Sequence, residues 1–307
     1  MGRAPRTAGA AALTPDPVLG FYGPGSRMWR INREAVLLGA GPAALLLQLA
    51  HPLVAEGVAA HSDFAADPTG RLRRTLRATL ALVFGDGPAA EAAVRRLNGV
   101  HASVRGESVD PEARALAERY RALDPALLLW VQATLIWTSV RAYERWVGPL
   151  TPADREAFWG EARLVGTRLG IPLEQSPADW PAFEAYVQAM LGPGGPIRVT
   201  AAGRRLGRLV IRSPLPFLPG PLATLMTLPA VALLPPSIRA AYGLPWGGRR
   251  AWLARTLDDL VRLWVHLMPP AWRSMPQARA ADARAARGGR AARYDRAPRP
   301  RSEAGRA

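Results

Sequence analysis

Apolar residues recur along most of this chain at intervals of three and four, the spacing that gathers them on one face of an α-helix. From about residue 34 the helical period is nearly continuous. Glu34–Ala60 is apolar in most turns, with Pro42 and Pro52 as expected boundaries or kinks. A turn over Ser62–Asp67 leads into Pro68–Phe84, where Leu72, Leu76, Leu80 and Val83 share a face. Pro88–Val104 carries Val94, Leu97, Val100 and Val104 in the same manner. Asp124-Pro125 predicts a helix start, with Asp at the N-cap and Pro at the first helical position, and the apolar run reaches Val147. Thr151-Pro152 and Ser176-Pro177 open further helices by the same chemistry. A proline-rich stretch follows, then a last run over Gly247–Met268. No alternating strand run of any length and no internal repeat accompanies these segments. The pattern predicts an all-α fold: a single helical domain over residues 18–276, a flexible tail over 1–17 and a basic, disordered or frayed tail over 277–307.

Composition narrows the chemistry. The 307 residues include no cysteine, and all 40 basic residues are arginine. Disulfides, cysteine–zinc sites, iron–sulfur clusters and thiolate-ligated haem are excluded, as are a Schiff-base lysine and a P-loop lysine. Of the net charge of +16, the segment 277–307 carries +6 and the segment 1–33 carries +4, so the body is only mildly basic. The tail is read as solvated. No nucleic-acid motif or aromatic stacking pattern accompanies the arginines, and no specific nucleic-acid partner is expected. Met1–Leu13 lacks the apolar stretch of a secretory signal. The uncharged segment 213–238 is broken by seven prolines and is expected to be buried or to make peripheral membrane contact rather than span. The expected address is cytoplasmic, with membrane association left open.

One motif argues against an all-helical reading. Gly39-x-Gly41-x-x-Ala44 follows an apolar run, as in a dinucleotide-binding turn, and Glu56 or Asp63 lies near where an acidic ribose ligand would fall. That turn needs a preceding strand and a following strand–helix series. The only strand available, Ala35–Leu38, is very short, so a helix that starts or kinks near Pro42 is expected, its glycines allowing close helix packing.

Three of the four histidines, His51, His61 and His101, fall on or beside predicted helices. His101 shares the apolar face of Val94, Leu97 and Val104, where an imidazole needs a polar partner, a metal or a ligand. Arg71 and Thr75 lie four residues apart on one helical face, with Arg74 adjacent, so at least one arginine is expected along a pocket rim. Guanidinium groups bind carboxylates bidentately, haem propionates included.

The run LLLQLAHPLVAEGVAAHSDFAADPTGRLRRTLRATLALVFG at 45–85 resembles the catalytic domain shared by latex-clearing rubber oxygenases and the mycophenolic-acid-pathway oxygenase. His101 in NGVHASVRG, the segment Tyr120–Val140 and the segment 233–253 extend the resemblance, which covers roughly residues 18–276. It implies a globin-like helical core holding haem b, and oxidation of an apolar, isoprenoid- or polyketide-like substrate by dioxygen. On the same ground His101 is the proximal iron ligand, and Arg71, Arg74 and Thr75 occupy the distal element. Where the family carries a lysine able to ligate iron this chain has Arg74, too basic to donate a lone pair. Glu56 or His61 is then the base, and His51 a further cofactor-pocket residue. Gln132 stands where many relatives have a histidine. Two other readings remain: a non-enzymatic helical binding protein for an apolar ligand, and a nonhaem metal enzyme using His51, His61 and His101 with Asp63 or Glu56.

Overall fold

A computed structural model describes residues 14–61, 68–212 and 220–295, with the side chains at a few helix ends excepted. The chain begins with α1 (Arg27–Asn32), a 3-10 turn (Ala35–Ala40), α2 (Gly41–Leu49) and α3 (Pro52–His61). A long pair follows, α4 (Pro68–Phe84) and α5 (Gly87–Ser103), and then a small antiparallel hairpin of β1 (Arg105–Glu107) and β2 (Arg119–Arg121) with α6 (Pro111–Leu116) between its strands. The rest is α7 (Pro125–Trp146), α8 (Pro152–Arg168), α9 (Trp180–Leu191), α10 (Ala201–Arg212), α11 (Gly220–Leu233), α12 (Pro236–Ala241), α13 (Gly248–Leu267), α14 (Pro270–Arg273) and α15 (Pro276–Asp295). Ala35–Leu38 lies in the 3-10 turn, and the two-strand hairpin is the only named sheet among the described residues. The fold is all-α, and no βα series surrounds the glycine motif.

Helix starts obey the capping chemistry. Asp124 accepts from Ala126 N at 2.8 Å to open α7, and Thr151 with Asp154 forms a reciprocal capping box at α8. The start expected at Ser176-Pro177 moves three residues on. Ser176 closes a 3-10 turn, and Asp179 caps α9 by accepting from Ala182 N at 2.8 Å. This shift lets Trp180 pack on Phe183, ring centroids 5.0 Å apart, beside Trp159.

The centre of the molecule is α7. It packs against α2, the 3-10 turn, α8, α11 and α13, and buries residues on every side, from Leu127 to Trp146. A helix apolar all round must be enclosed, and each polar group it carries inward must find a partner. Trp130 Nε1 donates to Leu47 O at 3.2 Å, and Gln48 Nε2 donates to Thr134 Oγ1 at 3.2 Å. At the other end, buried Asp258 of α13 accepts from Trp146 Nε1 and from Arg145 Nε, both at 2.7 Å. The closest helix contacts lie elsewhere than expected. A Cβ at Gly207 of α10 would stand 2.6 Å from the Tyr242 ring, and one at Gly203 2.6 Å from Leu49 O, so α10 lies flush on α2. Gly39 and Gly41 have no such constraint.

The segment after 276 corrects the expectation of a frayed tail as far as it is described. It forms α15, with Ala278 and Ala281 fully buried. Asp282 accepts from Trp29 Nε1 at 2.9 Å and from Arg33 Nη2 at 2.7 Å. Arg284 donates to Val18 O and Phe84 O, at 2.7 and 2.6 Å. Alanines bury area without side-chain entropy cost, which is how so polar a sequence docks. Residues 1–13 and 296–307 of the expected tails lie outside the described residues. No single described helix is long and apolar enough to cross a membrane; the 3-10 turn with α2 and then α3 passes only as a pair bent by 105°. Of the uncharged segment 213–238, the part from Leu228 to Leu234 is largely buried.

Two outcomes test this packing. Truncation after Met275, or Ala281→Glu, lowers the thermal midpoint by several degrees, since a buried, unpaired carboxylate costs more than about 2 kcal/mol. Asp258→Ala strands Arg145 and Trp146 and costs about 3–5 kcal/mol in urea denaturation; a loss below 1 kcal/mol would remove that contact from the account.

Candidate functional site

Helices α4 and α5 pack along each other, joined through Gly85 and Asp86, whose carboxylate accepts from Ala89 N at 2.9 Å to start α5. In such a hairpin, residues equally far from the turn come level. Arg71 and His101 lie fifteen residues on either side of Asp86, about 22 Å along each helix at 1.5 Å per residue. The open end of the hairpin therefore holds the Arg71–Thr75 element and His101 together. The end of α3 and the β-hairpin join them there. Val104 N donates to His101 O at 3.1 Å, Ala122 N to Val104 O at 2.9 Å, and His61 meets Tyr120 edge-on with centroids 6.1 Å apart.

His101 is half-buried, and its Nδ1 is buried with no hydrogen-bond partner. Burial pushes its pKa below the usual histidine value, so the imidazole is uncharged near neutral pH and keeps a lone pair. Three residues back, Asn98 Nδ2 donates to Arg168 O at 3.0 Å, leaving Asn98 Oδ1 buried and unpaired. Gln132 of α7 does the same, donating to Ala162 O at 2.8 Å with Oε1 unpaired. Sequence reading missed Asn98. Its signal was there, an amide one turn before the histidine on the same helix.

The other expected site residues divide. Arg74 and Thr75 are exposed on α4, and the Arg71 side chain lies outside the described residues, as does Asp63. Glu56 is buried in α3, and its carboxylate accepts from Val109 N at 2.9 Å and from Asp110 N, which fixes the start of α6. Its lone pairs are thus committed to backbone donors. His61 ends α3 exposed, Nδ1 3.3 Å from Gly57 O. His51 sits at the bend between α2 and α3, its backbone bonded to Gln48 O and Ala55 N. It is buried with Nδ1 unpartnered. Among the described residues no group of three His, Asp or Glu side chains converges as a metal site. Elsewhere, a cavity of about 390 Å³ lies between α7, α9 and α12, lined by Trp137, Leu191, Ala232 and Leu234 with Arg141 and Arg239. It shares no lining residue with α3, α4 or α5.

Burial holds the His51 pKa down at about 4, partly countered by Asp124. A histidine whose folded pKa is depressed binds its proton preferentially in the unfolded chain, so the stability it carries is intact above pH 6.5 and is lost as pH falls toward 4. For His51 the loss approaches about 3 kcal/mol, and His101 adds to it with the same sign. In urea unfolding, His51→Gln flattens the pH dependence between 6.5 and 4.5 by up to about 1.4 kcal/mol per pH unit; an unchanged slope would refute the assignment.

Uncharacterized proteins of Mycobacterium bovis and Mycobacterium tuberculosis are each 30% identical to the chain over 239 residues, covering 74% of it and 89% of their own length. No solved structure matches. The catalytic-domain family described as ER-bound oxygenase mpaB/B'/Rubber oxygenase matches residues 28–264, which takes in α1 through nearly all of α13, and the chain belongs to that family.

Proposed function

We propose that this chain is a haem b-dependent oxygenase acting with dioxygen on an apolar substrate, and that His101 is its iron ligand. The observation that carries the proposal is the uncharged imidazole of half-buried His101, whose buried Nδ1 has no hydrogen-bond partner among the described residues. A buried polar atom without a partner is costly, and coordination removes that cost. The donor set suits haem b in a second respect: no thiolate exists to compete, and the arginines of the α4 element stand at the same end of the hairpin as His101. Bound there, haem would supply the redox centre for dioxygen, with His101 as the residue that would hold its iron.

The chain's own groups then have distinct tasks. His101 keeps its lone pair because burial disfavours the imidazolium. Arg71 and Arg74 offer guanidinium forks for carboxylates, and neither can ligate iron. Thr75 contributes a hydroxyl on the same face as Arg71. Glu56 acts by position: by holding Val109 N and Asp110 N it fixes the segment that follows β1. His61, exposed at the end of α3 with Nδ1 3.3 Å from Gly57 O, takes the role of base in this reading.

Purified full-length protein titrated with haemin tests this by optical spectroscopy. Wild type develops a Soret band with a high-spin ferric spectrum, since Arg74 leaves no second protein ligand on its side. His101→Ala loses the band or holds haem weakly, while Thr75→Ala and His61→Ala keep it and lose turnover. A His101→Ala spectrum identical to wild type, or no haem uptake at all, would overturn the proposal; a low-spin spectrum would assign a second nitrogen ligand.

A further inference from the structure

The cavity between α7, α9 and α12 is walled by Trp137, Leu191, Ala232 and Leu234, and two guanidinium groups line it, each laid on an indole. On α7, Arg141 lies over Trp137, one turn earlier, 4.5 Å from the ring centroid. On α12, Arg239 lies over Trp246, also at 4.5 Å. The chain builds this second pair locally. Gly243, with φ 66°, ends α12 in the left-handed region, and Gly243 N and Leu244 N donate back to Ala240 O and Arg239 O. That reversal returns the chain so that Trp246 covers Arg239, and Arg239 Nη1 donates to Leu234 O, which anchors the fork. Arg239 nevertheless lacks a counter-charge. Its Nε is buried with no hydrogen-bond partner, and it makes no ion pair among the described residues. Burial and the neighbouring Arg145 both push its pKa down, and no carboxylate opposes them. The other charged side chains of the surrounding helices answer one another without it. Arg145 is paired with Asp258 and Glu144 with Arg155, while Arg141 feels Glu144 and also Glu184 of α9. Helix α11 carries no charge, and exposed Arg198, in the loop after α9, turns back onto Gly195 O and Ile197 O. One partly desolvated cation is left over at the cavity, and a cation held from water without a partner is costly.

We propose that this cavity binds a small amphipathic carboxylate, its head on the Arg239 fork with Arg141 at the rim and its apolar body against Trp137 and Leu234. A guanidinium presents parallel N–H groups that match the two oxygens of a carboxylate, and stacking on an indole holds the fork without using its in-plane donors. The bond to Leu234 O engages Nη1 alone, so the rest of the fork is free to donate. One unmatched cation asks for a monoanion, which favours a carboxylate over the dianion of a phosphate monoester. A volume of about 390 Å³ holds roughly a dozen heavy atoms at the ~30 Å³ that one water occupies, the size of a ten-carbon acid. The site is independent of the haem reading, since the cavity shares no lining residue with α3, α4 or α5.

Isothermal titration calorimetry of the full-length protein with decanoate, kept below its micelle concentration, tests the proposal. Decanoate binds at one site, while decanol, the chain without the charge, and acetate, the charge without the chain, bind at least about tenfold more weakly. Arg239→Gln, whose amide can still donate to Leu234 O, weakens decanoate about 10- to 100-fold with the thermal midpoint retained. Should that variant fail to fold, Arg141→Gln at the exposed rim gives the same loss at smaller size. His101→Ala binds decanoate as wild type does, which separates this cavity from the proposed haem site. Absence of decanoate binding to wild type overturns the proposal, as does binding indifferent to the arginine variants or lost in His101→Ala. Decanol as tight as decanoate, or inorganic phosphate as tight, overturns it too, leaving an apolar cleft in the first case and a simple anion site in the second.

Discussion

The enclosure of α7 is the constraint on which the rest of the structure depends. A 22-residue helix with buried positions on every side, and only Ala126, Leu135 and Arg141 exposed, has little face to give to water, so its neighbours must wrap most of it. That demand orders the other elements: α2 and the 3-10 turn on one side, α8 on another, α11 and α13 closing the remainder. The indoles that α7 carries inward are answered from neighbours, Trp130 by Leu47 and Trp146 by Asp258, while Gln132 Oε1 is left buried and unpaired. These directional contacts convert general apolar attraction into one register.

The proposed site grows out of that arrangement at the N-terminal end of α7. Asp124, which caps α7, is also the carboxylate that acts on His51, and the β-hairpin immediately before it abuts the end of α5. His51 and His101 are thus placed by the same local structure that begins the central helix. Each keeps a buried Nδ1 without a hydrogen-bond partner, a costly arrangement that a bound group would relieve.

Much of the fold was legible in the sequence because proline and Asx residues mark helix starts by chemistry that is local. Pro68–Phe84, the Asp124-Pro125 start and Thr151-Pro152 needed no tertiary information. The start at Asp179 did need it, since Ser176-Pro177 offers the same local cue and burial of Trp180 decides between them. Helix α10 was passed over because its four arginines read as charge, whereas Leu206, Val210 and Ile211 line its buried face. Helix α15 was read as a tail because alanine gives no periodic apolar signal even when fully buried. At the site, the apolar face of His101 pointed to an imidazole needing a partner, and its unpaired Nδ1 is that need in physical form. Glu56 was opaque for the opposite reason: its partners Val109 and Asp110 are more than fifty residues away, and no spacing rule reaches them.

Helix α15 also dictates the order in which the molecule can be completed. Its bonds from Asp282 to Trp29 and from Arg284 to Val18 join residues 253 and 266 positions apart, the last of the described helices to the first of the described turns. Synthesis delivers the N-terminal segment well before this helix. Until it leaves the ribosome, Trp29 and the end of α4 lack their cover, and contacts of such sequence separation are slow to form. During translation the nascent chain therefore holds a nearly complete helical body with an aromatic seam open to water, and that seam is the surface a chaperone would meet.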